Sequence, residues 1–370
     1  MRWARSCLFG LAALVVALIL VEVALRLLGP RLPPRMPPER TGLLSKPSED
    51  QSPGEGLALK PNASATTLYP GDEPGTVREI TYAINSLGFR GPEIAQQRPE
   101  GVYRIALLGD SVTYGTGINY DETIAYKLQE ALAERLPKRT IQVINCGVPS
   151  TNTGQQVAHC VKRVLKTQPN LVLIITTIVD ASGQGTEGGK PRQLPWQVGV
   201  VKALGLTSGV VEGDIEHLAT AEQWQVTVRR ASRLADLVGY HLYRSLYRTI
   251  LLQNYKATWE PDSPGVAMIR EALTELMGLA EQRRFKVRAA MYPFLAGLSG
   301  DYPFREEAQL LADMCADLDL PFDDLLTPLK GQAPASLQAH AHDRHPNGRA
   351  NGLVAQYLAD ILVAGVPAQD

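Results

Sequence analysis

Hydrophobic positions follow three regimes along the chain. Cys7 to Val21 (CLFGLAALVVALILV) is an unbroken apolar run, and apolar residues continue to Leu28 with Glu22 and Arg26 among them. At about 1.5 Å per residue, a helix over 7–28 is long enough to span roughly 30 Å of hydrocarbon. Glu22 and Arg26 stand four apart with the acid first, the spacing at which they pair on a helix. No small-residue A-x-A site follows the run, so the pattern predicts an uncleaved membrane anchor over 1–29 rather than a cleaved signal peptide. Arg2 and Arg5 lie before it and Arg26, Arg31, Arg35 and Arg40 at its end or beyond, which leaves its orientation open. Residues 30–66 are proline-rich (GPRLPPRMPPER, SKPSEDQSPGEG) with little to bury, and predict an extended stalk.

From 67 to 366 the pattern becomes an alternation of strands and helices. Tyr103–Leu108, Ile141–Ile144, the β-branched run Leu171–Ile178, and Lys286–Tyr292 predict buried parallel strands. Between them, helical spacing marks a helix with Asp121 as its N-cap (Ile124, Leu128, Ala131, Leu132), then Gln155–Lys166, Val266–Arg284 and Arg305–Leu318. Asn347 can cap a final helix carrying Leu353, Val354, Leu358 and Leu362. Such an order predicts an α/β domain, a parallel sheet covered on both faces, with sites at the carboxyl ends of its strands. Residues 181–262 interrupt the alternation. They open with a glycine-rich loop and end in a helical stretch, 226–252, bearing Tyr240, Tyr243 and Tyr247 among several arginines. The segment reads as a helical insertion packed on the sheet, or as a lid or membrane-lying surface.

Charge and cysteine content narrow the classes. With 37 Lys+Arg against 38 Asp+Glu the net charge is −1, and nothing predicts nucleic acid as a partner. Four cysteines and no CxxC pair exclude a disulfide-stapled scaffold and a zinc knuckle. Cys146, Cys160 and Cys315 could still include one disulfide in an oxidising compartment. Cys146 reads as a buried strand-end residue rather than a nucleophile.

Two constellations carry chemistry. In LLGDSVTYGTG, Ser111 follows a buried strand among small residues, where its hydroxyl can be presented to a base. The segment lacks a P-loop lysine and the dinucleotide glycine spacing, and no cofactor is expected. In HAHDRHPN, three of the six histidines fall together with Asp343 and Asn347. A metal site would draw on His340, His342, Asp343 or His345. A triad would use His345 as base and Asp343 to hold its tautomer, and residues two apart on an extended segment point to one side. The triad is preferred, with no metal.

GDSVTYG resembles the first sequence block of the GDSL/SGNH hydrolase family, whose nucleophile is that serine, here Ser111. NCGVPSTNTGQQ looks like the second block, which implies that Gly147 donates a backbone N–H to the oxyanion hole beside Ser111. DRHPN looks like the last block and implies His345 as base with Asp343 as its partner. INSLGFRGPE is similar to a membrane-anchored subgroup with the same ending. The resemblance implies a three-layer, flavodoxin-like α/β/α fold, with Asp110, Asp180 and Asn347 in supporting positions. It departs at Val179, where the family has an oxyanion-binding Asn. Thr176, Thr177 and Ser182 are nearby alternative donors. The implied activity is a serine esterase on a small-molecule or glycan ester, deacetylating or transferring acyl groups outside the cytoplasm and anchored through 7–28. An inactive glycan-binding module and a lysophospholipase-like lipid esterase are the alternatives.

Overall fold

The computed structural model describes residues 16–27, 44–45, 57–70, 76–182, 252–298, 300–340 and 343–367. The chain divides into two units, Met1–Pro33 with Lys190–Asn254, and Pro34–Gly189 with Tyr255–Asp370. In the first, residues 16–27 form helix α1, and Arg26 Nε reaches Glu22 Oε1 at 2.7 Å, the pairing the spacing predicts. Among the described residues no helix is long and apolar enough to cross a membrane. The remainder of the apolar run, and the tyrosines and arginines of the 226–252 stretch, lie outside the described residues.

The second unit begins with small antiparallel pairings. β1 (Leu44–Ser45) pairs with β2 (Ala58–Leu59), and β3 (Ser64–Pro70) with β4 (Val77–Ala83). Packed structure thus starts before residue 67. Ala58 is fully buried, and Leu59 joins Tyr69, Ile80, Tyr82, Ile84 and Tyr114 in a small core. Prolines on either side conceal these short strands in the pattern.

The main sheet takes the most apolar runs. β5 (Val102–Gly109), β6 (Thr140–Asn145), β7 (Leu171–Thr177), β8 (Lys286–Tyr292) and β9 (Phe322–Asp324) are all parallel, in the order β6-β5-β7-β8-β9. This is the flavodoxin-like order, and its reversal on either side of β5 creates a crevice at the carboxyl ends. Asn145 of β6 pairs with Leu107 of β5, and Gly109 with Ile175 of β7, so these three strand ends are neighbours. β7 is buried along its whole length, as its β-branched sequence requires.

Helices α3 (Ile124–Arg135) and α7 (Gly348–Leu362) pack together on one face. Leu128, Leu132, Val354 and Leu358 meet alternate residues Tyr103, Ile105 and Leu107 of β5 in one core. Each such side chain contributes about 1.5–3 kcal/mol over its exposed state. On the other side α4 (Thr153–Lys162) packs against α5 (Pro264–Arg283), while α6 (Arg305–Asp317) links β8 to β9.

Local chemistry sets the boundaries. Asn347 caps α7 as expected, its Oδ1 accepting from Ala350 N at 3.0 Å. Asp121 does not cap α3. It sits in a 3-10 turn, Tyr120–Glu122, that Asn119 and Glu122 close reciprocally, and Thr123 is the cap instead. The helix expected over 155–166 ends at Lys162 and tightens into a 3-10 turn, Val164–Thr167. Cys146, Cys160 and Cys315 are free and buried, with no disulfide among them.

Candidate active site

Ser111 owes its position to the end of β5. Asp110 caps the one-turn helix α2 (Ser111–Tyr114), its Oδ1 accepting from Val112 N at 2.8 Å, which places Ser111 on the first helical residue above the sheet. Gly115 closes α2 at φ 88, where a Cβ would meet Thr123 Cγ2 at 2.6 Å and Arg90 Nη1 at 2.9 Å. Buried Arg90 holds the turn that follows. Its Nη1 donates to the carbonyls of Tyr114 (2.7 Å) and Gly115 (2.5 Å), and its Nη2 to that of Ile118 (2.6 Å). The guanidinium also lies 4.6 and 4.9 Å from the ring centres of Tyr82 and Tyr114.

The last block arrives on a hairpin, β10 (Gln338–His340) with β11 (Asp343–Pro346). His345 Nε2 stands 2.9 Å from Ser111 Oγ, across 234 positions of sequence. Its Nδ1 lies 2.5 Å from Asp343 Oδ1, which also accepts the His345 backbone N–H at 3.0 Å. Asp343 is 93% buried by its 7% exposure, whereas the His345 side chain keeps 30%. The two-residue parity expected for this segment therefore holds. His340 lies in β10 opposite Asp343, and His342 falls outside the described residues. Among the described residues no three metal-ligating side chains converge.

Asp110 and Asp180 are brought together by Thr177. Its hydroxyl donates to Asp110 Oδ2 and its N–H to Asp180 Oδ2, both at 2.9 Å. Gln156 Nε2 adds bonds to Asp180 Oδ1 (3.1 Å) and to the Thr151 carbonyl (3.3 Å). Burial pushes both carboxyls upward, Asp180 well above the ordinary range, with Asp110 beside it as the lesser cause. These acids tie strand ends to one another. Asn347 acts similarly, donating from Nδ2 to the Ser336 and Gln338 carbonyls while capping α7.

A cavity of about 140 Å³ opens beside Ser111, lined by Asp110, Ser150, Thr151, Asn152, Val179 and Ser182. Gly147 is not in it. Its N–H donates to Asn145 Oδ1 at 3.1 Å, and a Cβ there would lie 2.3 Å from Tyr114 N. Its lack of a side chain serves close packing against α2, and the N–H expected to face an oxyanion is engaged by Asn145 instead. Ser150 takes the place beside Ser111 at φ 61. Among the described residues, the N–H groups of Ser111 and Ser150 have no acceptor. Sequence reasoning missed Ser150 because Gly147 is the only glycine between Asn145 and Asn152; the weak signal is a serine after Pro149 in a turn.

Val179 does line the cavity, with no donor to offer. The nearby hydroxyls do not replace one. Thr177 is engaged with Asp110, Ser182 donates to the Val179 carbonyl, and Thr176 is fully buried without an acceptor.

A parallel sheet with a serine, histidine and aspartate in this geometry at its carboxyl ends has the layout of a nucleophilic hydrolase site. Residues 107–353 match the GDSL-like lipase/acylhydrolase family, and the chain belongs to that family. Among solved structures it is similar to a G-D-S-L lipolytic protein from Desulfitobacterium hafniense DCB-2 at 13% identity, covering 70% of this chain and 99% of that one, with TM-score 0.40. A lipase/acylhydrolase from Enterococcus faecalis gives 15%, 72%, 100% and 0.40. An acetylxylan esterase from Geobacillus stearothermophilus gives 16%, 72%, 97% and 0.39. No curated protein sequence matches the chain significantly.

Proposed function

We propose that the protein is a serine esterase acting on short-chain acyl esters, with Ser111 as nucleophile, His345 as general base and Asp343 as its orienting partner. The 2.9 Å approach of His345 Nε2 to Ser111 Oγ carries the reading. As Ser111 Oγ bonds to the ester carbonyl carbon, its proton passes to Nε2, and the Asp343 carboxylate stabilises the imidazolium. The carbonyl π pair becomes an oxyanion facing the Ser111 and Ser150 N–H groups. Collapse breaks the bond to the alcohol, which leaves with the Nε2 proton. Water, or a second alcohol in a transferase, repeats the cycle on the acyl-serine and restores the free hydroxyl.

The small volume of the cavity, about 140 Å³, favours an acetyl-sized group over the long chain of a lipid ester. Tethering through residues 7–28 and a glycan ester outside the cytoplasm form part of the proposal, supported by the apolar run and the proline-rich segment after it. In the test, the full-length chain is treated with a fluorophosphonate probe, with and without Ser111→Ala, and the adduct is located by mass spectrometry. Label on Ser111 that vanishes in the variant is expected. A folded wild-type chain that takes no label would put the glycan-binding alternative ahead. A series of p-nitrophenyl esters from acetate upward then separates the acetyl reading, with rates falling as the acyl chain lengthens, from a lipid esterase.

A further inference from the structure

Val179 leaves the cavity short of one side-chain donor, and another residue lining it has a donor to spare. Asn152 is the N-cap of α4. Its Oδ1 accepts from Gln155 N at 3.0 Å, and its N–H donates to Gln155 Oε1 at 3.1 Å. Because a backbone N–H can face only an acceptor, this capping box fixes which end of the amide is oxygen. The remaining polar atom is Nδ2. Asn152 is 97% buried by its 3% exposure and lines the cavity with Ser111 and Ser150, and the bonds it makes to Gln155 engage its N–H and Oδ1 but not Nδ2. An amide N–H open to the cavity and free of protein acceptors is available to an anionic oxygen bound there.

We propose that Asn152 Nδ2 is the third oxyanion donor of this enzyme, supplying from the start of α4 what Val179 cannot supply from the end of β7. Its competitors among the cavity hydroxyls are weaker. Thr151 Oγ1 donates to the Val148 carbonyl and Ser182 Oγ to that of Val179, while Ser150 is exposed to solvent. Asn152 alone combines a donor without an acceptor with a side chain locked by its own cap, and a locked donor needs no reorganisation as charge develops. A donor used at the tetrahedral stage contributes to kcat more than to substrate binding.

This inference rests on the serine-esterase reading, and the experiment separates the two. Asn152→Asp and Asn152→Ser both retain a capping oxygen for Gln155 N and lack the amide N–H. The serine variant also excludes an effect of added charge. In the full-length chain, kcat and KM for p-nitrophenyl acetate, fluorophosphonate labelling of Ser111 and the melting temperature are measured together. Both variants are expected to melt as the wild type does, to lose about 10²–10³-fold in kcat and to change little in KM. Unchanged kcat in Asn152→Ser, or a loss that tracks a lowered melting temperature in both variants, overturns the inference while a labelled Ser111 leaves the parent reading standing. A wild-type chain without label overturns both.

Discussion

Asp343 meets His345 twice through one atom. Oδ1 takes both the ring Nδ1, at 2.5 Å, and the backbone N–H, at 3.0 Å. The backbone donor has a consequence for substitution, since an asparagine at 343 must present its oxygen there and its nitrogen at the other position. That oxygen still accepts Nδ1–H, so the tautomer that leaves Nε2 free to take the Ser111 proton is kept, and only the negative charge is lost. Asp343→Ala loses both. We expect Asp343→Ala to lower kcat by about 10³–10⁴-fold and Asp343→Asn by at least tenfold less than that. Equal losses in the two variants, at equal melting temperature, would show that charge alone matters.

Arg90 supports the nucleophile turn from within the core. One guanidinium holds the carbonyls of Tyr114, Gly115 and Ile118, and the residue is 1% exposed. Arg90→Met strands the carbonyls of Gly115 and Ile118 and leaves that of Tyr114 only the Asn145 Nδ2 bond at 3.3 Å, and should cost about 3–5 kcal/mol. Arg90→Lys keeps the charge but not the fork, and should recover little of it. Denaturant midpoints give the stability, and the rate of fluorophosphonate labelling in folded protein should fall at least tenfold as Ser111 loses its fixed position. A lysine variant with wild-type midpoint and rate would remove Arg90 from the account.

The sheet and the triad were legible in the sequence for one reason, that each is written in contiguous residues. Leu171–Thr177 declares itself by β-branching, and Ser111, Asp343 and His345 by adjacency to a strand or to one another. The Ser150 side of the cavity was not, because it is written in backbone. Nothing in the letter Ser distinguishes residue 150 at φ 61, and the visible Gly147 answers to packing on Tyr114 instead. Arg90 reads as an ordinary surface cation until β4 and α2 place two tyrosines and three carbonyls around it. β9, β10 and β11 are too short for any period to show.

His159 sets an acid limit on stability. It is 2% exposed on α4, edge-on to Phe89, and neither ring nitrogen has a partner among the described residues. Burial, with a smaller contribution from Arg163, pulls its pKa down from 6.5 to about 3. The folded pKa lies below the unfolded one, so the unfolded chain binds the extra proton between them. The contribution is fully present above about pH 6.5 and is lost as pH falls toward about 3, near 1.4 kcal/mol per unit. From pH 6.5 to 4.5 the wild type should lose about 2–3 kcal/mol that His159→Leu does not lose. Melting temperatures of the two proteins across that range should converge or cross in favour of the leucine, and parallel curves would rule the effect out.

Ser150 tests whether backbone or side chain serves the cavity. At φ 61 a serine occupies the left-handed region, where a side chain costs about 1–2 kcal/mol and glycine rests without strain. Ser150→Gly keeps the N–H and removes the hydroxyl. Relief of strain is offset in part by the greater freedom of glycine in the unfolded chain, so stability should rise by no more than about 1 kcal/mol. The kcat for p-nitrophenyl acetate should stay within about twofold if the N–H is the working group. A tenfold loss in the glycine variant would move the role to the Ser150 hydroxyl, and the third donor assigned to Asn152 would then have to share it.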